Sequence, residues 1–366
     1  MKIAFYSPYL PKHTGGGEKY MLDCARLAAA AGHQVFIAVS DTQDLSLDEA
    51  TEMRGKYEQF LDCSLVGIEF IATPLFTSSN LLKKLLWTRQ FDCLYYQTDG
   101  SLFFSLAKKN ILHIQVPLPL DKSSFLEKLK LANWSVKNTN SYFTKNYIEK
   151  YWRTKIDYVH QPYVELPPLE KPPHKEQMIL SVGRFFRQLH SKRQDVLVEF
   201  FKKLVKTAPK DMKNWELILI GRAEDQDFAN QVAAQVGEFK ITLIHDADRG
   251  LLLDYYQRAS IYWHATGYGI DENVEPEKAE HFGISTLEAM AAGVVPVVIN
   301  KGGQKEILGS KLQDCMWDEE DACLAKTLGL IKNKTKLTAL AQKVKIRSQE
   351  FSKDKFNKIL LTMLDK

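Results

Sequence analysis

The sequence predicts an α/β protein built as two doubly wound domains, and three observations carry that expectation. Short apolar, β-branched runs alternate with amphipathic helical stretches, as in parallel sheets covered by helices. The length of 366 residues suits about two domains at ~150 residues each. The alternation is interrupted by Pro162, Pro167, Pro168, Pro172 and Pro173, which read as a stiff interdomain linker.

Residues 2–7 form a short apolar strand. The following loop closes on Gly15-Gly16-Gly17, residues 18–31 have the spacing of an amphipathic helix stopped by Gly32, and 34–40 form the next strand. A βαβ unit with a Gly-rich first turn opens a nucleotide- or sugar-binding domain. The fingerprint GxGxxG is absent, and Asp41 after the second strand does not replace it. Three glycines let backbone approach a ligand closely; a plain turn needs fewer. Residues 41–62 read as an acidic helix and 66–72 as a strand. Residues 80–89 (NLLKKLLWTR) read as a basic amphipathic helix. Its stripe of Leu81, Leu82, Leu85, Leu86 and Trp87 fits a core face and, alternatively, a membrane surface. Strands follow at 91–97 and 111–116. On the latter, His113 and Gln115 share one face. A strand at 157–161 leads into the linker.

The second half repeats the alternation. A strand at 178–182 runs into Gly183-Arg184 and a loop with Arg187, His190, Lys192 and Arg193. Helices at 194–206, 225–236 and 250–259 alternate with strands at 215–220, 241–245 and 261–265. A helical tail runs from about residue 321.

Bulk properties narrow the function class. The net charge of +4 gives no case for nucleic acid. It is unevenly spread: residues 41–69 hold eight acidic and two basic side chains, residues 83–155 thirteen basic and five acidic. The basic region reads as a solvated surface or as one facing phosphate or anionic lipid. The five cysteines lack CxxC spacing, which argues against a disulfide framework or zinc site and fits a reducing cytosol. The N-terminal apolar run is too short for a signal peptide and is broken by Pro8, and no run of eighteen apolar residues spans a membrane.

The densest chemistry lies at 280–308, EHFGISTLEAMAAGVVPVVINKGGQKEIL. Glu280 and Glu288 flank a loop and a helix start at Ser285-Thr286. Gly293 ends that helix, residues 294–299 form a buried parallel strand, and Gly302-Gly303 turns into another helix. A loop feeding a helix N-terminus suits an anion. Ser285 to Glu288 also fits a capping box, so Glu288 has a structural reading beside a ligand-binding one. The stretch before Glu280 (YGIDENVEPE) is rich in acids without an Asp-x-Asp, and a metal site is not expected.

Gly15 to Glu18, Gly183-Arg184 with Lys192, and EHFGISTLEAMAAG followed by Gly302-Gly303 together resemble the retaining glycosyltransferases of family four, of GT-B fold, over essentially the whole chain. The resemblance implies two Rossmann-like domains facing across a cleft. Residues 1–166 would bind the acceptor, 174–345 would bind a nucleotide-sugar donor, and 346–366 would form a helix crossing back to the first domain. Arg184 and Lys192 would stabilise the leaving diphosphate; Asp195, three residues after Lys192, favours Lys192 over Arg187 and Arg193. Glu280 would bind the transferred sugar and Glu288 the ribose hydroxyls. Gly16, Gly17, Gly183, Phe282, Gly283, Ile284 and the Thr286 hydroxyl would line the donor. The family histidine that contacts the donor sugar falls at Gln115, so either His113 takes its role or Gln115 substitutes for it.

The resemblance implies a metal-independent hexosyltransferase that needs no cofactor. It would use a GDP- or UDP-linked nucleotide sugar, with mannose from GDP-mannose as the donor expected from the EHFGI wording. The acceptor would be a glycan or a lipid-linked hydroxyl in cell-surface polysaccharide or glycolipid synthesis. Separately, the cysteine pattern leads to an expected cytoplasmic location, and residues 81–90 with the basic region 83–155 to an expected peripheral contact with anionic membrane. The alternatives are a non-catalytic nucleotide-sugar-binding subunit and a sugar-nucleotide epimerase on the same fold.

Overall fold

The computed structural model describes residues 1–10, 15–39, 45–167, 174–188 and 190–365. Asp41, part of the loop before Gly15, and Pro168, Pro172 and Pro173 of the expected linker lie outside them. The chain forms two compact units, Met1–Pro162 with Asp354–Lys366, and Tyr163–Lys353.

The first unit holds a parallel sheet of strands β1 (Lys2–Tyr6), β2 (Gln34–Val39), β3 (Ile68–Ala72), β4 (Cys93–Gln97), β5 (Lys109–Ile114), β6 (Val136–Thr139) and β7 (Tyr158–Val159). Their order is β3-β2-β1-β4-β5-β6-β7. Strand order therefore reverses between β1 and β4, the position at whose carboxyl edge doubly wound sheets bind ligands. Gly15 to Gly17 follow β1 at that edge. Helix Gly16–Ala30 starts from an extended Gly15 and buries Tyr20, Met21, Cys24 and Ala28 on the sheet. β6 and the helices Phe125–Asn133 and Tyr142–Trp152 have no counterpart in the sequence reading. Asn138 and Thr139 of β6 are buried although polar, so the strand lacks an apolar signature. Asn138 is satisfied by accepting from His113 Nδ1–H at 2.6 Å.

The second unit's sheet comprises β8 (Met178–Val182), β9 (Glu216–Ile220), β10 (Ile241–Ile244), β11 (Ile261–His264), β12 (Val295–Ile299) and β13 (Met316–Trp317). It is parallel too, in the order β10-β9-β8-β11-β12-β13.

Two expectations change. The stripe on helix Leu81–Arg89 is core only in part: Leu81, Leu82 and Leu86 are 55%, 64% and 54% exposed, while Leu85 is half-buried, Trp87 packs on Phe91 and Thr88 is buried. The single helical tail is three helices, Glu320–Lys332, Lys334–Ser348 and Lys353–Asp365. The last packs in the first unit. There Phe356, Leu360 and Met363 are buried, and His160 Nε2–H donates to the Phe356 carbonyl at 2.9 Å.

Candidate active site

Lys192 and Glu280 are 88 positions apart and form an ion pair in the second unit. Lys192 lies in the loop between β8 and helix Gln194–Thr207. Gly183, at the end of β8, makes room for it, since a Cβ there would sit 2.5 Å from Lys192 Cγ. At the end of β11, His264 Nε2–H donates to the same Glu280 oxygen, Oε2, at 2.8 Å. Burial pushes the Glu280 carboxyl up, but the Lys192 ammonium and the His264 bond outweigh it and hold the group well below the usual carboxylate range. The rings of His190 and His281 stand 4.9 Å apart beside this pair, both kept neutral chiefly by burial.

The neighbouring cations are sorted by their partners. Arg184 donates to Glu224 at 2.9 Å and stands 3.3 Å from His190 Nε2, with its side chain 33% exposed. Arg187 is bound to Asp225. Asp195 pairs with Arg193, not with Lys192, and Arg193 also donates to the Tyr268 carbonyl at 2.8 Å. The Lys-x-x-Asp spacing that singled out Lys192 is thus not a contact; the Glu280 pair is what distinguishes it.

The helix after Glu280 runs Ile284–Ala291, with Gly283 as N-cap at φ 111 and no side-chain cap. The capping-box reading is overturned. Ser285 lies inside the helix, where its Oγ accepts from Tyr262 at 2.8 Å. Glu288 turns instead to Arg249, whose Nη1–H donates to Oε1 at 2.7 Å, and to Tyr256, whose O–H donates to Oε2 at 3.0 Å. Thr286 is fully buried and accepts from Gln304 Nε2–H at 3.0 Å, so its hydroxyl is not presented to a phosphate. Phe282 is also buried, its ring against Phe351, while Ile284 is half-buried. Gly302 and Gly303 brace the loop from beneath. The Gly303 N–H donates to the Glu280 carbonyl at 2.7 Å. A Cβ on Gly302 would overlap that carbonyl, and one on Gly303 would lie 2.5 Å from Phe282 Cα.

The acids before Glu280 serve the loop itself. Glu272 accepts from the Gly302 N–H at 2.8 Å and pairs with Lys305, and Asp271 caps a turn at Asn273. Among the described residues, no group of three or more His, Cys, Asp and Glu is placed to hold a metal.

In the first unit, Gly17 and Gln115 meet closely enough that a Cβ on Gly17 would overlap the Gln115 amide. Gly16 opens the same helix. His113, expected as a sugar contact, is wholly buried, with its ring stacked on Tyr20 at 4.2 Å. It is a core histidine, because β5 ends at Ile114 and only Gln115 passes the sheet edge. His264, Arg249, Tyr256 and Gln304 were not singled out by sequence. His264 ends β11, Arg249 and Tyr256 share helix Arg249–Arg258, and Gln304 opens helix Gln304–Leu308; no local spacing announces them.

The family model for glycosyl transferases group 1 matches residues 165–346. A human GDP-Man:Man(3)GlcNAc(2)-PP-Dol alpha-1,2-mannosyltransferase is 23% identical over 83% of this chain and 73% of its own length. An uncharacterized glycosyltransferase of Methanocaldococcus jannaschii is 30% identical over 36% of this chain and 30% of its own. Among solved structures, a variant of S. aureus TarM in complex with fondaparinux, alpha-GlcNAc-glycerol and UDP superposes with a TM-score of 0.68 at 12% identity over 100% of both chains. WaaG, a glycosyltransferase involved in lipopolysaccharide biosynthesis, gives 0.61 at 14%, again over 100% of both. The fold is the GT-B arrangement of two Rossmann-like sheets. Residues 165–346, nearly the whole of the second unit, are thus the part of the chain that matches the glycosyl transferases group 1 family.

Proposed function

We propose that this glycosyltransferase is a retaining, metal-independent hexosyltransferase whose donor is a nucleotide sugar held by the second unit. The observation that carries the reading is the Lys192–Glu280 pair, formed between the loops that follow β8 and β11, with Arg184 in the first of these loops and Glu288 in the helix after the second. Transfer from a nucleoside diphosphate requires positive charge fixed at the leaving group. Arg184 supplies a fork and Lys192 a point charge. Glu280 accepts from hydroxyls of the transferred sugar and Glu288 from the ribose. The attacking hydroxyl enters on the face the phosphate leaves, and the leaving phosphate takes its proton, so no carboxylate nucleophile is needed. Mannose from GDP-mannose is the donor we favour, on the name of the human relative and the wording of the 280–293 stretch. The acceptor we favour is a glycan or lipid-linked hydroxyl. We place the protein on the cytoplasmic side of a membrane, touching anionic lipid through the exposed leucines and lysines of helix Leu81–Arg89.

A donor panel of GDP-mannose, UDP-glucose, UDP-galactose and UDP-N-acetylglucosamine, assayed for nucleotide release with and without EDTA, tests this. Release with GDP-mannose that survives EDTA, and a product of unchanged anomeric configuration by NMR, is expected. No release with any donor would refute the enzyme reading. Free sugar formed without acceptor would favour an epimerase instead.

A further inference from the structure

Both bonds to the Glu280 carboxylate fall on one oxygen: Lys192 and His264 each reach Oε2. We propose that His264 is the positioning residue that holds Glu280 while the donor is bound, keeping Oε1 turned to a hydroxyl of the transferred sugar. The inference rests on the donor-site reading above.

The two partners differ in kind. Lys192 ends in an ammonium on a flexible four-carbon stem, and an arriving diphosphate competes for that charge. Once the ammonium turns toward phosphate, Glu280 would be a buried carboxylate without a partner, a costly state. His264 cannot be drawn off in the same way. Its side chain is 2% exposed, it is fixed at the end of a central strand, and its ring is neutral. Neutrality follows from its bonds. An ionised carboxylate only accepts, so Nε2 carries the proton, with Thr266 Oγ1 3.3 Å away. Nδ1 is buried and has no hydrogen-bond partner, so a proton there would be an unpaired buried donor. Burial, with Lys192 adding to it, keeps the imidazole below its ordinary pKa against the pull of Glu280. A neutral N–H on a rigid ring is thus the anchor that stays when the mobile charge is shared.

The test compares His264→Ala, His264→Leu and His264→Gln with the wild-type chain. It reads affinity for GDP and UDP, affinity for the corresponding nucleotide sugars, and turnover. Losing one hydrogen bond to a charged group is expected to weaken nucleotide-sugar binding or kcat/KM about tenfold or more, with GDP and UDP affinity kept within about twofold. His264→Gln, which puts an amide N–H at similar reach, is expected to recover most of the loss. Equal losses for nucleotide and nucleotide sugar, wild-type behaviour of His264→Leu, or a His264→Gln no better than Leu would overturn the proposal. The bond is also read without any donor, by 15N NMR of the His264 ring: an Nε2–H tautomer that is disturbed in Glu280→Gln is expected, and an Nδ1–H tautomer overturns it. If no nucleotide sugar binds the wild type, it is the donor reading that fails, while the tautomer still judges His264.

Discussion

Arg249 and Glu288 are joined across two helices, Arg249–Arg258 and Ile284–Ala291, by a 2.7 Å charge-assisted bond. Glu288 is therefore a partner in a buried network with Tyr256 rather than a helix cap. Removing it takes a charged partner from a half-buried guanidinium. Glu288→Ala is expected to weaken nucleotide binding about 10-fold or more, at roughly 1.5–3 kcal/mol for bonds to a charged group, and to lower the melting temperature. Arg249→Ala is expected to lose part of both. Calorimetry of nucleotide binding beside a thermal melt separates the two effects; unchanged nucleotide affinity in Glu288→Ala would refute the ribose role.

Lys192→Met and Arg184→Met are expected to cut turnover by about 10²–10³, the usual cost of removing a donor at a developing anion. The two differ in stability. Lys192→Met leaves Glu280 buried against a neutral residue, so its melting temperature falls. Arg184 is a third exposed, and its loss leaves the fold nearly as stable. Steady-state kinetics and melts of both variants check this.

Gly302 combines φ 59 with a Cβ position that the Glu280 carbonyl already fills. Gly302→Ala is expected to destabilise by about 1–3 kcal/mol from overpacking alone and to displace Glu280. Gly329, inside helix Glu320–Lys332 with nothing near its Cβ position, is the control. Gly329→Ala is expected to stabilise by roughly 0.5–1 kcal/mol. Urea melts of the two read both signs.

Lys175 donates to the Ala292 carbonyl at 2.9 Å and the Tyr256 carbonyl at 3.3 Å. Burial, with Lys345 nearby, lowers its pKa from 10.5 to about 7. Between those two values the unfolded chain binds a proton that the folded chain does not, so this group's contribution to stability rises with pH across that window. Lys175→Met removes the slope. The melting temperature of the variant relative to wild type is expected to fall as pH is raised from 7 to 10; a pH-independent difference would contradict the assignment.

Replacing Leu81, Leu82 and Leu86 by Ser is expected to reduce binding to anionic vesicles at low salt. Buried-core leucines would instead cost stability, and these three are exposed. Vesicle co-sedimentation with a thermal melt distinguishes the outcomes. No binding by the wild type would rule out the membrane contact.

Elements with an apolar period were legible in the sequence. β8, β9, β11 and β12 are mostly apolar runs, and Gly32, Gly183, Gly221 and Gly293 marked where a helix or strand gave way to a loop. The segment from Phe125 to Trp152 was not legible, because its strand buries Asn138 and its helix Phe125–Asn133 exposes Phe125, Leu126 and Leu129, the reverse of the usual pattern. At the site, Lys192, Glu280 and Glu288 were readable from their motifs. Their partners were not: His264 on β11 and Arg249 and Tyr256 on helix Arg249–Arg258 are set by how the elements pack, a fact of tertiary arrangement rather than of local spacing.

Helix Lys353–Asp365 also bears on how the chain is made. The first unit is discontinuous in sequence, and the second is synthesised before the helix that completes it. At a ribosomal rate of about 5–20 residues per second, the pocket lined by Tyr20 and His160, which receives Phe356, waits roughly 10–40 seconds for its occupant. During translation the later unit can close first, leaving the earlier one with an uncovered apolar seam, the species most exposed to chaperones and proteases.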